Sequence, residues 1–284
     1  MQNQKGLVLE GGAMRGLFTA GIIDVFMLNQ ISFDGMIGVS AGATFGCNFK
    51  SKQIGRPLRY CKRFAKDWRF CSLKSFFKTG DFFGAEFCYH KIPDTLDAMD
   101  YITYTANPMP MTVVCTDIHS GTAIYHKSES ISTKEMEWFR ASASMPLASR
   151  IVSVDGFDLL DGGVTDSIPL QYFQKQGYHK NVVVLTQPLG YQKKKNSLMP
   201  MMRTKYKNYP ALVSAIECRH IMYNQEIAYV AEQENTGNTF VIRPPEKLPI
   251  GHMCHDPQLM QEIYEIGVNT AQKILPDLIQ FLEA

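Results

Sequence analysis

Gly38-Val39-Ser40-Ala41-Gly42 spells G-x-S-x-G. A serine hydroxyl becomes a nucleophile when a tight turn lifts it clear of the chain and a base takes its proton. Flanking glycines such as Gly38 and Gly42 permit that turn. Phe33 to Val39 reads as a short strand, and Ala41, Thr44, Cys47 and Asn48 continue as a helix. A strand running into a helix is the context a nucleophile elbow requires, and a helix N-terminus favours developing negative charge. The same letters also suit a plain turn with Ser40 as the N-cap, so the motif needs partners.

Two partners are present. Glu10-Gly11-Gly12-Ala13-Met14-Arg15-Gly16 follows the strand-like run Gly6–Leu9. Small residues let backbone N–H groups converge on one oxygen. Gly11, Gly12 and Ala13, joined by Ala41, are therefore the expected oxyanion hole. A Gly-rich turn of this kind could instead cradle phosphate. It matches neither G-x-x-x-x-G-K-[ST] nor a clean G-x-G-x-x-G, however. Arg15 either steers an anionic group or braces the turn, and bracing is favoured. The other partner is Asp161-Gly162-Gly163, where glycines hold a carboxylate at the end of a strand. Asp161 is the expected base, against the plain reading of a turn aspartate.

Seven histidines compete for the base. His220, His252 and His255 follow Asp161 and would complete a Ser–Asp–His order. That order belongs to a fold whose elbow comes after several strands, and here one strand precedes the elbow strand. None of the three sits on a recognisable motif. His252-Met253-Cys254-His255 lacks a second ligand pair, so a surface loop is expected there and no metal site.

The elements that must carry these residues alternate. Gly6–Leu9, Phe33–Val39, Met111–Thr116, Thr122–His126 and Asn181–Thr186 read as strands. Ile151–Val154 and Phe157–Leu160 flank Asp155-Gly156, a strong hairpin signal. Helices are expected over Met14–Leu28, Lys134–Ser144, Tyr209–Glu234 and Pro257–Ile274, with Gly237 ending the third and Thr239–Ile242 a last strand. Ser51 to Met99 reads as helical and irregular cover. The alternation predicts an α/β protein with a central, mostly parallel sheet flanked by helices.

The 284 residues suit a single domain, with a core over about 6–190 and a helical extension with one strand over about 191–284. A net charge of +2 gives no support to nucleic-acid binding. Seven widely spaced cysteines without a C-x-x-C pair point to reduced thiols in a cytoplasmic protein. Met1–Lys5 is polar, with no signal peptide expected, and no run is long enough to span a membrane. Lys193, Lys194, Lys195, Arg203, Lys205 and Lys207 interleave with Leu198, Met199, Met201 and Met202. Such a stretch suits peripheral contact with an anionic membrane, on the inner face, and equally a solvated loop.

These residues together resemble a compact bacterial patatin-like phospholipase. Glu10–Gly16 resembles that family's oxyanion motif, Gly38–Gly42 its elbow and Asp161–Gly163 its catalytic aspartate motif. Ala141-Ser-Ala-Ser-Met-Pro146, Thr116-Asp117 with Gly121, Leu185-Thr186-Gln187-Pro188, Tyr223-Asn224 and Arg243-Pro244 extend the likeness over nearly the whole chain. The resemblance implies a three-layer fold and a Ser40–Asp161 dyad without a catalytic histidine. It also implies lipid or acyl-ester substrates and neither metal nor cofactor. An acyltransferase or thioesterase with the same serine, or a lipid-binding protein without catalysis, are the alternatives. Ala13 stands where the family usually has glycine, which puts a torsion that glycine reaches easily on an alanine.

Overall fold

A computed structural model describes residues 4–284. The apolar strand runs bury both faces, as strands in a parallel sheet must. β1 (Lys5–Leu9), β2 (Gly35–Val39), β3 (Met111–Asp117), β7 (Lys180–Val184) and β8 (Thr239–Ile242) are parallel neighbours in the order β3-β2-β1-β7-β8. β4 (Ala123–Ser128), β5 (Val152–Val154) and β6 (Phe157–Asp161) add antiparallel pairings at the β3 side. Alternate residues feed two cores. Leu7, Leu9, Met36, Met111, Val113, Val182 and Val184 face one layer, and Val8, Ile37, Val39, Val114 and Val183 face the other. Each such side chain contributes about 1.5–3 kcal/mol of burial.

The first layer holds α1 (Gly16–Leu28), α2 (Ala41–Lys50), α3 (Arg56–Phe64) and, after the short α4 (Leu73–Thr79), α5 (Tyr101–Ala106). α6 (Thr133–Ser142) joins them. The second layer holds α7 (Leu170–Lys175) and the long α9 (Pro210–Asn235), with α8 (Met199–Lys205) beside α9. α10 (Pro257–Glu283) returns to the first layer and crosses α1. That crossing is close: a Cβ on Gly21 would lie 2.3 Å from the Tyr264 carbonyl oxygen, and one on Gly267 2.1 Å from that of Phe18. The three-layer arrangement around a mostly parallel sheet agrees with the sequence reading.

Local details agree as well. Asp155 and Gly156 both have positive φ (51° and 82°), as a two-residue hairpin turn of the primed type demands. Gly237, with φ 77°, follows α9 in the left-handed conformation. The Ser51–Met99 cover is helical and irregular, as the sequence reading has it, and includes a wide-turn helix over Phe87–Leu96. Two expectations need correction. α10 does not stop near Ile274 but continues through Pro276 to Glu283. The basic stretch 193–207 is not one loop: α8 lies within it and buries Met199 and Met202, leaving Leu198 and Met201 exposed. Lys195 and Arg203 there pair with Glu217.

Candidate active site

One edge of β3 explains how Ser40 meets Asp161. Residues 111–116 pair with β4 along the opposite edge. The remaining edge is shared: β2 occupies it up to Val39↔Val114, and β6 takes over with Asp161↔Cys115. The residue leaving β2 and the residue ending β6 are therefore brought together, although 121 positions separate them. The Ser40 hydroxyl donates to Asp161 Oδ2 at 2.7 Å.

Ser40 has φ 54° and ψ −120°, a strained conformation for a non-glycine residue, as an elbow requires. The backbone around it is held on every side. Ser142 Oγ accepts the Ser40 N–H at 2.8 Å and donates to the Val114 carbonyl at 2.6 Å. It thus fills the gap where β2 leaves β3. A Cβ on Gly42 would lie 2.3 Å from the Leu9 carbonyl oxygen, so only glycine lets α2 start this close to β1. Gly38, the last but one residue of β2, lies against the backbone of Gly42 and Ala43, and Gly16 packs on Ala41 and Phe45.

Asp161 is gripped by its own turn. Gly163 N–H donates to Oδ1 at 2.8 Å, and Thr116 Oγ1 donates to the Asp161 carbonyl at 2.9 Å. Gly162 sits against the Val114 carbonyl. Ser40 is 7 % and Asp161 4 % exposed, so both are desolvated but reachable. Burial raises the Asp161 pKa above the ordinary carboxylate value. The Arg219 charge, the Ser40 hydroxyl and the Gly163 N–H offset part of that rise.

The Glu10–Ala13 turn lies directly over the serine. A Cβ on Gly11 would come within 2.9 Å of Ser40 Cβ. Gly12 packs on the Thr186 side chain. The N–H groups of Gly11, Gly12, Ala13 and Ala41 donate to no protein acceptor among the described residues. Ala13 has φ 48°, the torsion its glycine-like position demanded. Glu10 anchors the turn from below: it accepts the Thr186 N–H at 2.5 Å and the Tyr223 hydroxyl at 2.7 Å. Burial raises its pKa, and these donors offset part of that.

Two cavities meet at Ser40, and Ala13, Ser40 and Met145 belong to both. One is apolar, walled by Phe45, Tyr60, Phe70, Phe83, Ile92 and Phe139 among others. The other is polar and includes Glu10, Arg15, Asp161, Lys193, Arg219 and His252. Sequence reasoning missed Ser142, Lys193, Arg219 and Tyr223 as site residues. Arg15 lines the polar cavity, and its buried Nε has no hydrogen-bond partner, so the bracing favoured from sequence is not carried by that atom. His252 reaches the same cavity from an exposed loop and bonds neither Ser40 nor Asp161. His220 bonds the Glu217 carbonyl and His255 that of Ala65. Among the described residues, no group of three His, Cys, Asp or Glu side chains is arranged to hold a metal ion, and no helix is long and apolar enough to cross a membrane.

Several known proteins are similar to this chain. The uncharacterized protein YjjU of Escherichia coli K12 is 31% identical over 195 residues, 64% of this chain and 52% of its own. Lysophospholipase NTE1 of Scheffersomyces stipitis is 26% identical over 95% of this chain but 18% of its own, and that of Saccharomyces cerevisiae 24% over 96% and 16%. The chain thus spans about half of the first relative and under a fifth of the fungal ones. VipD from Legionella pneumophila aligns with a TM-score of 0.47 at 12% identity, covering 97% of this chain and 67% of that one. A domain of unknown function, DUF6363, matches residues 209–283. The patatin-like phospholipase description matches residues 7–173, more than half of the chain and the segment that holds the elbow, the glycine turn and Asp161. On that match, the chain belongs to the patatin-like phospholipase family.

Proposed function

We propose that the protein is a serine acyl hydrolase that cleaves carboxylic esters of lipids through Ser40 and Asp161. The observation that carries this reading is the 2.7 Å hydrogen bond from the Ser40 hydroxyl to a buried carboxylate whose basicity is raised. Asp161 takes the hydroxyl proton as Ser40 Oγ attacks the ester carbonyl. The N–H groups of Gly11, Gly12 and Ala13, with Ala41, receive the oxyanion, each good donor worth on the order of 10²-fold in rate. Asp161 then protonates the leaving alcohol. Water, deprotonated by Asp161, releases the acid from Ser40.

The apolar cavity supports an acyl chain as the acid part of the ester. Residues 7–173 and the C-terminal helices act as one unit in this reading, because Tyr223 and Arg219 on α9 hold Glu10 and Gly163. A fluorophosphonate probe and p-nitrophenyl acyl esters test the reading. Wild type is expected to label and to turn over, and Ser40→Ala to do neither. Labelling that persists in Ser40→Ala, or turnover that survives it, overturns the assignment.

A further inference from the structure

α9 turns one stripe of side chains toward the body of the protein. Steps of three and four residues stay on one face of a helix. Leu212, Ile216, Arg219, Tyr223, Glu226 and Val230 follow such steps, and Leu212, Ile216, Tyr223 and Val230 are buried. A wholly apolar stripe would suffice to pack α9 against the core. Arg219, Glu226 and the Tyr223 hydroxyl interrupt it with groups that are costly to desolvate unless they are bonded.

Each interruption is bonded to a turn that borders Ser40, or to the segment that follows it. Arg219 Nε donates to the Gly163 carbonyl at 2.5 Å, directly behind the Asp161 turn. A Cβ on Gly163 would lie 3.1 Å from both Arg219 Nη2 and Asp161 Oδ1, so glycine lets the two groups close in from either side. The Tyr223 hydroxyl donates to Glu10 Oε1 at 2.7 Å, at the root of the Glu10–Ala13 turn. Glu226 accepts the Ser167 N–H at 3.1 Å and the Ile168 N–H at 3.2 Å, and Ser167 Oγ donates to the Gly163 carbonyl at 2.8 Å. Among the described residues no strand pairing joins the two turns, because β1 pairs with β2 and β7, and β6 with β3 and β5. The step from Arg219 to Tyr223, about 6 Å along the helix axis, links them instead.

We propose that Arg219, Tyr223 and Glu226 are positioning residues that hold the Asp161 turn and the Glu10–Ala13 turn in register with each other for acyl transfer. The inference rests on the acyl-hydrolase reading. All three lie within residues 209–283, the DUF6363 match, and outside residues 7–173, so that segment gains a part in the chemistry. A base and oxyanion donors that drift apart lose rate steeply, on the order of 10²-fold per Å. Arg219 also acts by charge. Burial raises the Asp161 pKa, and Arg219 opposes that rise more than any other group, with Lys193 adding to it. Cys115 and Tyr89 also face Asp161, and burial raises both of their pKa values, so they stay neutral. Glu10, Arg15 and His252 share the polar cavity with it.

Steady-state kinetics of the full chain on p-nitrophenyl esters test this, with circular dichroism confining the comparison to folded variants. Tyr223→Phe keeps the ring and loses only the hydroxyl. It should lower kcat ~10-fold while KM stays within about twofold. Glu226→Ala should do the same, and Glu226→Gln, which still accepts from Ser167 and Ile168, should restore the rate. Arg219→Gln removes the charge and should move the acid limb of kcat/KM up by about one pH unit. Arg219→Lys should bring the limb back. An anchor that only packs α9 would change the melting temperature and leave the limb in place. Gln225→Ala, on the exposed face of α9, should match wild type. Wild-type kcat in Tyr223→Phe overturns the hold on Glu10. A fixed acid limb in Arg219→Gln overturns the role of Arg219, and equal rates in the two Glu226 variants overturn that of Glu226. A loss in Gln225→Ala as large as in Tyr223→Phe overturns the stripe as a whole. Turnover that survives in Ser40→Ala overturns the hydrolase reading and the positioning with it, whereas turnover lost in Ser40→Ala but intact in every stripe variant overturns the positioning alone.

Discussion

The two cavities that meet at Ser40 are built from different stock. The apolar one is walled by the aromatic cover between α2 and α6, all within residues 13–145. The polar one takes its distinctive side chains, Lys193, Arg219, Tyr223 and His252, from the last third of the chain. Ser40 and Asp161 themselves belong to the sheet and to neither cover. In the proposed reaction Ser40 and Asp161 are thus flanked by two differently built surfaces, one apolar and one charged.

Removing the centre should silence both sides at once. Asp161→Asn is expected to lower kcat for p-nitrophenyl esters by roughly 10³-fold or more, in the range seen when a catalytic base is lost. A variant with near-wild-type turnover would leave the two cavities without a common chemistry. Next in size is a change confined to the apolar side. Cys88 lines that cavity and is half-buried, so Cys88→Phe should shift kcat/KM toward short acyl chains by ~10-fold. An unchanged chain-length preference would show that this cavity does not hold the acyl chain.

The centre also has a cost that pH reveals. A carboxyl whose folded pKa is raised holds its proton more tightly in the folded state than in the unfolded one. Stability then falls as pH rises from the ordinary carboxylate pKa through the raised one. Turnover should climb over that same window, because only the ionised form is a base. Asp161→Asn should accordingly melt a few degrees higher than wild type at neutral pH, measured by a thermal scan. A lower melting temperature would mean that the charge is better solvated than its burial indicates. The smallest effect is expected at the wall between the cavities. Ala13→Gly removes a methyl from a positive-φ position and should stabilise by at most about 1 kcal/mol in denaturant melts. A loss of stability would show that the methyl contacts outweigh the torsion.

The pairing of Ser40 with Asp161 was legible because its constraints are local. Glycines at Gly38, Gly42, Gly162 and Gly163 mark the places where backbone crowds backbone, and their spacing survives in one dimension. The hairpin at Asp155-Gly156 was legible for the same reason. Arg219 and Lys193 left no such mark. On α9, Arg219 follows Glu217 and Cys218 and reads as part of a solvated helix face. Its meaning comes from α9 passing behind Gly163, a crossing that no local pattern encodes. The 193–207 stretch misled in the opposite way: its basic and Met residues look like one surface, but the helix period turns Met199 and Met202 inward.

The shared edge of β3 bears on how such a protein can vary. Serine and aspartate are aligned by a splint only seven residues long, Met111–Asp117, and not by the segments that join them. Lengthening a surface loop between those segments adds only slowly to the entropy of closing it. Cover helices can therefore be inserted, trimmed or exchanged around an unchanged Ser40–Asp161 pair. The vulnerable positions are the few hydroxyls and glycines that seal the junction, above all Ser142, which bridges Ser40 to Val114.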